Sequence, residues 1–247
     1  MFKKLCLTAL VAILVSSPRP ADAALLLAID TNGVQACASD QNTGCSFGGV
    51  ILDQNPNVNQ MGFGNLPIQI GGLEVLGSSQ TATYGPPTNI LNTASFQITN
   101  NSAVNQVGNI AISATGFTPP ISFTSVSGSG TLQLATGSAI TMEWWADPAN
   151  GQGAETSTDR PGTLLHSCSF TALDSSEALA CAPPDIATPY GAPYSMTLYT
   201  SFNLTPGGTL VGRSQTELAE VQGVPEPASM ILLGLGMVGA GIIRRRR

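Results

Sequence analysis

The stretch Tyr194-Ser195-Met196-Thr197-Leu198-Tyr199-Thr200-Ser201-Phe202-Asn203-Leu204-Thr205 sets a large apolar side chain at almost every second position, broken once at Thr200. Period-two alternation is the mark of a strand with one face on a core and one in water. Shorter runs repeat it: Leu66-Ile68-Ile70, Ala94-Phe96-Ile98, Ile110-Ile112-Ala114 and Ile140-Met142-Trp144. Turn-forming clusters fall between them, at Tyr84-Gly85-Pro86-Pro87, Thr118-Pro119-Pro120, Ser127-Gly128-Ser129-Gly130 and Pro206-Gly207-Gly208. No stretch between the two ends of the chain sustains a helical period. Many strands separated by Gly/Pro turns predict an all-β fold, a single antiparallel β-sandwich.

That domain is expected over residues 24–223, because both ends differ in composition from the body. Of nine Lys and Arg residues, Lys3, Lys4 and Arg19 lie before it and Arg244, Arg245, Arg246 and Arg247 lie after it. The body keeps Arg160 and Arg213 against thirteen acidic residues, and has no lysine. A nucleic-acid partner requires a basic stripe to neutralise phosphates, so that class is excluded.

Residues 1–23 read as a signal peptide. Lys3 and Lys4 give a positive start, residues 5–15 are mostly apolar, and Ala21-Asp22-Ala23 offers the small-x-small pattern that a signal peptidase accepts. The apolar run is too short to cross a hydrocarbon core of about 30 Å. Cleavage is expected after Ala23. Cys6 precedes that site, so lipid attachment to a mature N-terminal cysteine has no support.

Export leaves Cys37, Cys45, Cys168 and Cys181 in an oxidising compartment, where an even number favours disulfides. Four cysteines allow three connectivities. We favour the local pairs Cys37–Cys45 and Cys168–Cys181, since each closes a short loop containing Gly or Pro. A zinc site is disfavoured by the lack of any C-x-x-C spacing and by a single histidine, His166.

The other end reads Val224-Pro225-Glu226-Pro227, then an uncharged apolar run over 228–243, then four arginines. Sixteen residues make a helix of about 24 Å, slightly short of a span, with the arginines snorkelling. A transmembrane helix is expected there, its arginine end cytoplasmic by the positive-inside rule. Gly234-Leu235-Gly236-Met237-Val238-Gly239 has dinucleotide-fingerprint spacing but lacks the strand, the βαβ unit and the distal acid that reading needs. Small residues on one helix face suit packing against another membrane helix.

Pro225-Glu226-Pro227, the apolar run and the arginine cluster, in that order, resemble the PEP-CTERM sorting signal of Gram-negative bacteria, over residues 224–247. The resemblance implies recognition by an exosortase, a membrane-embedded cysteine transpeptidase, with processing near Pro225-Glu226-Pro227 and an association with exopolysaccharide and biofilm. A looser likeness to ectodomains of such proteins covers 140–210. It is carried by Asp147-Pro148, Gly162-Thr163-Leu164-Leu165 and Pro193-Tyr194-Ser195-Met196-Thr197, and it implies sandwich architecture alone.

The body offers little chemistry. His166 is in register with Leu164, Cys168 and Phe170, and Ser167 and Ser169 beside it lack the elbow context of a nucleophile. No carboxylate pair is nominated for glycosidase work. No metal ligand set is assigned, although calcium is considered for two oxygen-rich loops. These are Asp53-Gln54-Asn55-Pro56-Asn57-Val58-Asn59, which lacks the EF-hand Gly and Glu, and the loop holding Asp147, Asn150, Glu155 and Asp159. Trp144 and Trp145 must face opposite ways on a strand, Trp144 inward. Trp145 is a candidate glycan contact, with packing the favoured role. The expectation is therefore a non-enzymatic protein of the cell surface, outer envelope or extracellular matrix. A carbohydrate-binding adhesin module is the alternative, and a secreted hydrolase comes after it.

Overall fold

In a computed structural model, the described residues are 25–40, 48–62, 67–77, 79–84, 88–118, 121–190 and 193–219. The expected signal segment, the sorting motif with its apolar run and arginines, and Cys45 lie outside them. Among the described residues no helix is long and apolar enough to cross a membrane.

Two sheets form a sandwich-like arrangement. The first runs β12 (Thr163–Thr171), β11 (Ala139–Asp147), β15 (Tyr194–Leu204), β9 (Gln106–Phe117), β1 (Leu25–Thr31), β2 (Val34–Ser39) and β3 (Gly49–Val50). The second runs β13 (Ser176–Cys181), β10 (Ile121–Gln133), β16 (Thr209–Ala219), β8 (Thr88–Asn100), β6 (Leu73–Leu76) and β5 (Ile68–Ile70). Off that path, β14 (Ile186–Tyr190) pairs with β10, β7 (Ser79–Thr83) with β8, and β4 (Gln60–Gly62) with β7. The expected antiparallel sandwich is present with one departure: β2 and β3 pair in parallel, through Ala36 with Gly49 and Cys37 with Val50.

The alternating apolar positions meet between the sheets. Ile112, Trp144, Leu198 and Phe202 from the first and Leu91, Ile98, Val126, Leu132 and Leu210 from the second belong to one buried cluster. A fully buried side chain of this size contributes about 1.5–3 kcal/mol, which holds each strand to a single facing. From β8 onward the chain changes sheet at nearly every connection. The Pro206-Gly207 turn, with Gly207 at φ +75°, carries it from β15 to β16. Asn100 locks the same end: its Nδ2 donates to Val104 O and Leu204 O at 2.8 and 2.9 Å, and its Oδ1 accepts from the Ser102 hydroxyl at 2.7 Å.

Two expectations need correction. Ser127-Gly128-Ser129-Gly130 is not a turn but the middle of β10, paired with β13 on one side and β16 on the other. Glycine is there for space: a Cβ on Gly128 would stand 2.7 Å from Met142 Sδ and 2.9 Å from Trp144 Cζ2 of the opposite sheet. Second, β15 is not half-buried, since residues 194–200 are buried on both faces. A loop from the end of β11 covers the face expected to meet water.

Candidate functional site

That covering loop is built by side chains satisfying its backbone. Asp147, ending β11, takes Ala149 N–H on Oδ1 and Gly151 N–H on Oδ2, at 2.9 and 2.8 Å. Asn150 Oδ1 accepts from Gly116 N–H, Ser195 Oγ donates to Gly151 O, and Gly153 N–H donates to Ser113 Oγ. Asp147 and Asn150, two of the four residues considered as calcium ligands in this loop, are thus engaged in holding backbone. Asp53 behaves likewise, its Oδ1 accepting from Asn55 N–H and Gly62 N–H at 2.9 and 3.0 Å.

Beneath the loop, Leu26, Ala28, Ala111 and Tyr199 on the outer face of the first sheet join Ala154 of the loop in a second apolar cluster, and Trp145 packs against it. Strand alternation does separate the two tryptophans, with Trp144 fully buried between the sheets. Trp145 Nε1 donates to Glu143 Oε2 at 3.0 Å, and the same oxygen receives Arg160 Nη1 at 2.9 Å. The Arg160 guanidinium lies 4.1 Å from the Tyr199 ring centroid and 5.4 Å from that of Trp145. Tyr199 also donates its hydroxyl to Asn109 Oδ1 at 2.8 Å. Burial raises its pKa; Arg160 opposes that shift and Glu143 adds to it. The arrangement fixes a loop, and it leaves part of the Trp145 surface accessible.

Beside β11, Cys168 of the outermost strand β12 forms a disulfide with Cys181 of β13, with Cα atoms 6.2 Å apart. The bond joins an outer strand of one sheet to an outer strand of the other. Cys37 is also disulfide-bonded, and Cys45 lies outside the described residues. His166 Nε2 is 3.3 Å from Cys168 Sγ, and its ring is 6.0 Å from that of Trp144. His166, Cys168 and Cys181 bring one nitrogen and two sulfurs within 4.8 Å, but the sulfurs are spent on each other. Ser167 and Ser169 are exposed on the other face of β12, and Ser169 Oγ meets Thr141 Oγ1 at 2.8 Å. Alternation therefore turns both hydroxyls away from the imidazole. A register shift opposite Trp144 and Trp145 also moves Leu164 out of line, so that Leu165 packs on the core while Leu164 is 42% exposed.

Sequence reasoning treated Arg160 and Arg213 only as a charge count. Their roles depend on partners far along the chain, Glu143 for Arg160 and Ser129 for Arg213, and no local pattern announces either.

No curated protein matches the chain in sequence. Among solved structures it is similar to TmCBM61 in complex with β-1,4-galactotriose, at 8% identity over 61% of this chain and 90% of that one, TM-score 0.31. It is similar to the C-terminal family 22 carbohydrate binding module of Clostridium thermocellum Xyn10B at 12% identity, covering 61% and 87%, TM-score 0.28. CBM29-2 complexed with cellulohexaose is 12% identical, covering 66% and 94%, TM-score 0.21. Residues 223–247 match the family model described as the PEP-CTERM protein-sorting motif, so the chain carries that motif behind its two-sheet β domain.

Proposed function

We propose that the chain is an exported protein that an exosortase-type transpeptidase processes near Pro225-Glu226-Pro227 and delivers to the cell surface or extracellular matrix, where it serves a structural role beside exopolysaccharide. The sorting motif at 223–247 carries this reading. Three features support it. The positive start, apolar run and Ala21-Asp22-Ala23 of the signal segment stand directly before β1, whose first residue Leu25 is fully buried. The Cys168–Cys181 bond suits an oxidising compartment. The four arginines after the apolar run hold that end on the cytoplasmic side before processing. His166 is engaged in packing, and Asp53, Asp147 and Asn150 in backbone contacts, which favours a non-catalytic domain.

The test is expression of the full chain in a Gram-negative host with and without its exosortase gene, with C-terminal peptides read by mass spectrometry. With the enzyme present, the peptides beyond the Pro-Glu-Pro segment should disappear from the surface fraction. Without it, or with Glu226→Ala, the intact chain should stay in the inner membrane. The same uncleaved, membrane-held chain in both hosts would sink the proposal.

A further inference from the structure

The outer face of the second sheet carries a groove of about 620 Å³, inside the range of about 300–1,000 Å³ usual for ligand sites. It crosses β13, β10, β16 and β8, and register places its side chains in two outward rows. Ser127 of β10, Gln215 of β16 and Asn92 of β8 are mutual partners in one row. Ser129 pairs with Arg213 in the next. The positions between them, Ser214 and Thr93, are buried and hydrogen-bond to one another. Ala94, Gly128, Ala180, Cys181 and Ala182 also line it, and their small size leaves the depression open.

Two further observations single out Arg213. The body has two cations, and Arg160 is held by Glu143. Arg213 is exposed and its Nε donates to Ser129 Oγ at 3.1 Å, with no carboxylate among the described groove residues. The pairing of β16 with β8 also shifts register at this point, Gly212 facing Phe96 while Ser214 faces Thr93. Two residues of β8 thus stand opposite Arg213, a bulge of the sort that re-aims a side chain beside a binding site.

We propose that this groove binds an acidic polysaccharide, a short run of uronate-bearing sugars whose carboxylate meets the Arg213 guanidinium while Asn92, Gln215, Ser127 and Ser129 meet hydroxyls. A planar guanidinium suits a carboxylate, and amide and hydroxyl side chains suit a polyol. An extended peptide is a poorer fit. Strands β10, β16 and β8 are paired on both sides, so strand addition is open only along the outer edge of β13, two strands away from Arg213. The groove holds no aromatic platform among its described lining residues. Each contact is therefore weak, and the preference for an acidic sugar rests on the one carboxylate that meets Arg213.

The inference rests on the surface location proposed above, and its test is independent of sorting. The purified full chain in detergent micelles is titrated calorimetrically with a uronate tetrasaccharide, a neutral glucose tetrasaccharide and a tetraglutamate peptide. The uronate should bind at least tenfold more tightly than either control and should weaken as salt rises. Arg213→Gln, at an exposed position, should lower uronate affinity at least tenfold with an unchanged melting temperature. Arg213→Lys should recover part of it, and Arg160→Gln should leave it intact. No uronate binding, equal binding by Arg213→Gln, or parity with the neutral sugar or the peptide would overturn the proposal. Since Arg213→Gln should still be processed normally, a failure of binding and a failure of sorting are read separately.

Discussion

Arg160 gathers three attractions that are each modest alone: an ion pair with Glu143 at 2.9 Å, and guanidinium contacts over the Tyr199 and Trp145 rings. The two side chains of the ion pair are 31% and 19% exposed, so solvent screens the charges and most of the benefit lies in the ring contacts. Arg160→Ala should therefore destabilise the protein by about 1–2 kcal/mol. The change should fall locally, with faster amide exchange at Gly151 and Gly153, whose N–H groups hold the covering loop to Asp147 and Ser113. Uniform exchange across the chain would contradict this. At this scale the sequence was partly legible. Alternation separated Trp144 from Trp145, because adjacent strand residues must face apart. Arg160 was not legible as a clamp, since its partners come from β11 and β15 and only the folded topology brings them together.

Among the elements, β10 shows why composition misleads where packing decides. Its Ser-Gly-Ser-Gly centre has the residues of a turn, yet the strand is hydrogen-bonded on both sides and Gly128 gives room to Met142 and Trp144. A turn and a crowded strand both select glycine, one for backbone freedom and one for lack of a side chain. Gly128→Ala should force those two neighbours aside and destabilise the fold by about 1–3 kcal/mol. Ser127→Ala, exposed on the outer face, should change stability little. Denaturant unfolding of the two variants checks this, and equal midpoints would show that the sheets stand further apart than described. The strands with sustained alternation, β11 and β15 (broken only at Thr200), were readable because their inner faces obey one rule. What escaped was the second burial of β15, since a covering loop held by Asp147, Ser113 and Ser195 leaves no periodic trace. Strand order also escaped, because from β8 onward neighbours in sequence mostly belong to opposite sheets.

For the molecule as a whole, the unusual charge inventory shifts the alkaline limit of stability onto its phenols. The body has no lysine, and arginine stays charged throughout the accessible range. Tyr84 and Tyr194 flank Phe117 in a stack with centroid separations of 4.6 and 5.6 Å, where β9 ends and β15 begins. Burial is the main cause that raises both phenols well above the ordinary value, with Asp40 adding to the shift at Tyr84 and a hydrogen bond from Asn89 opposing it at Tyr194. Tyr199 is raised in the same direction. A raised folded-state value means that, above about pH 10, the unfolded chain releases protons that the folded one keeps. The unfolded state then binds fewer protons, so stability falls with rising pH, while below about pH 10 these groups leave it flat. Unfolding midpoints should hold steady up to that point and then drop. The phenolate absorbance of the buried tyrosines should appear together with loss of structure rather than ahead of it. Tyr84→Phe removes one such group, and the Tyr84 hydroxyl is buried with no hydrogen-bond partner among the described residues. The variant should match the parent near neutrality and lose less stability in alkali. A phenolate signal that rises while the fold is intact would show the aromatic stack to be open to solvent, and would locate the alkaline limit elsewhere.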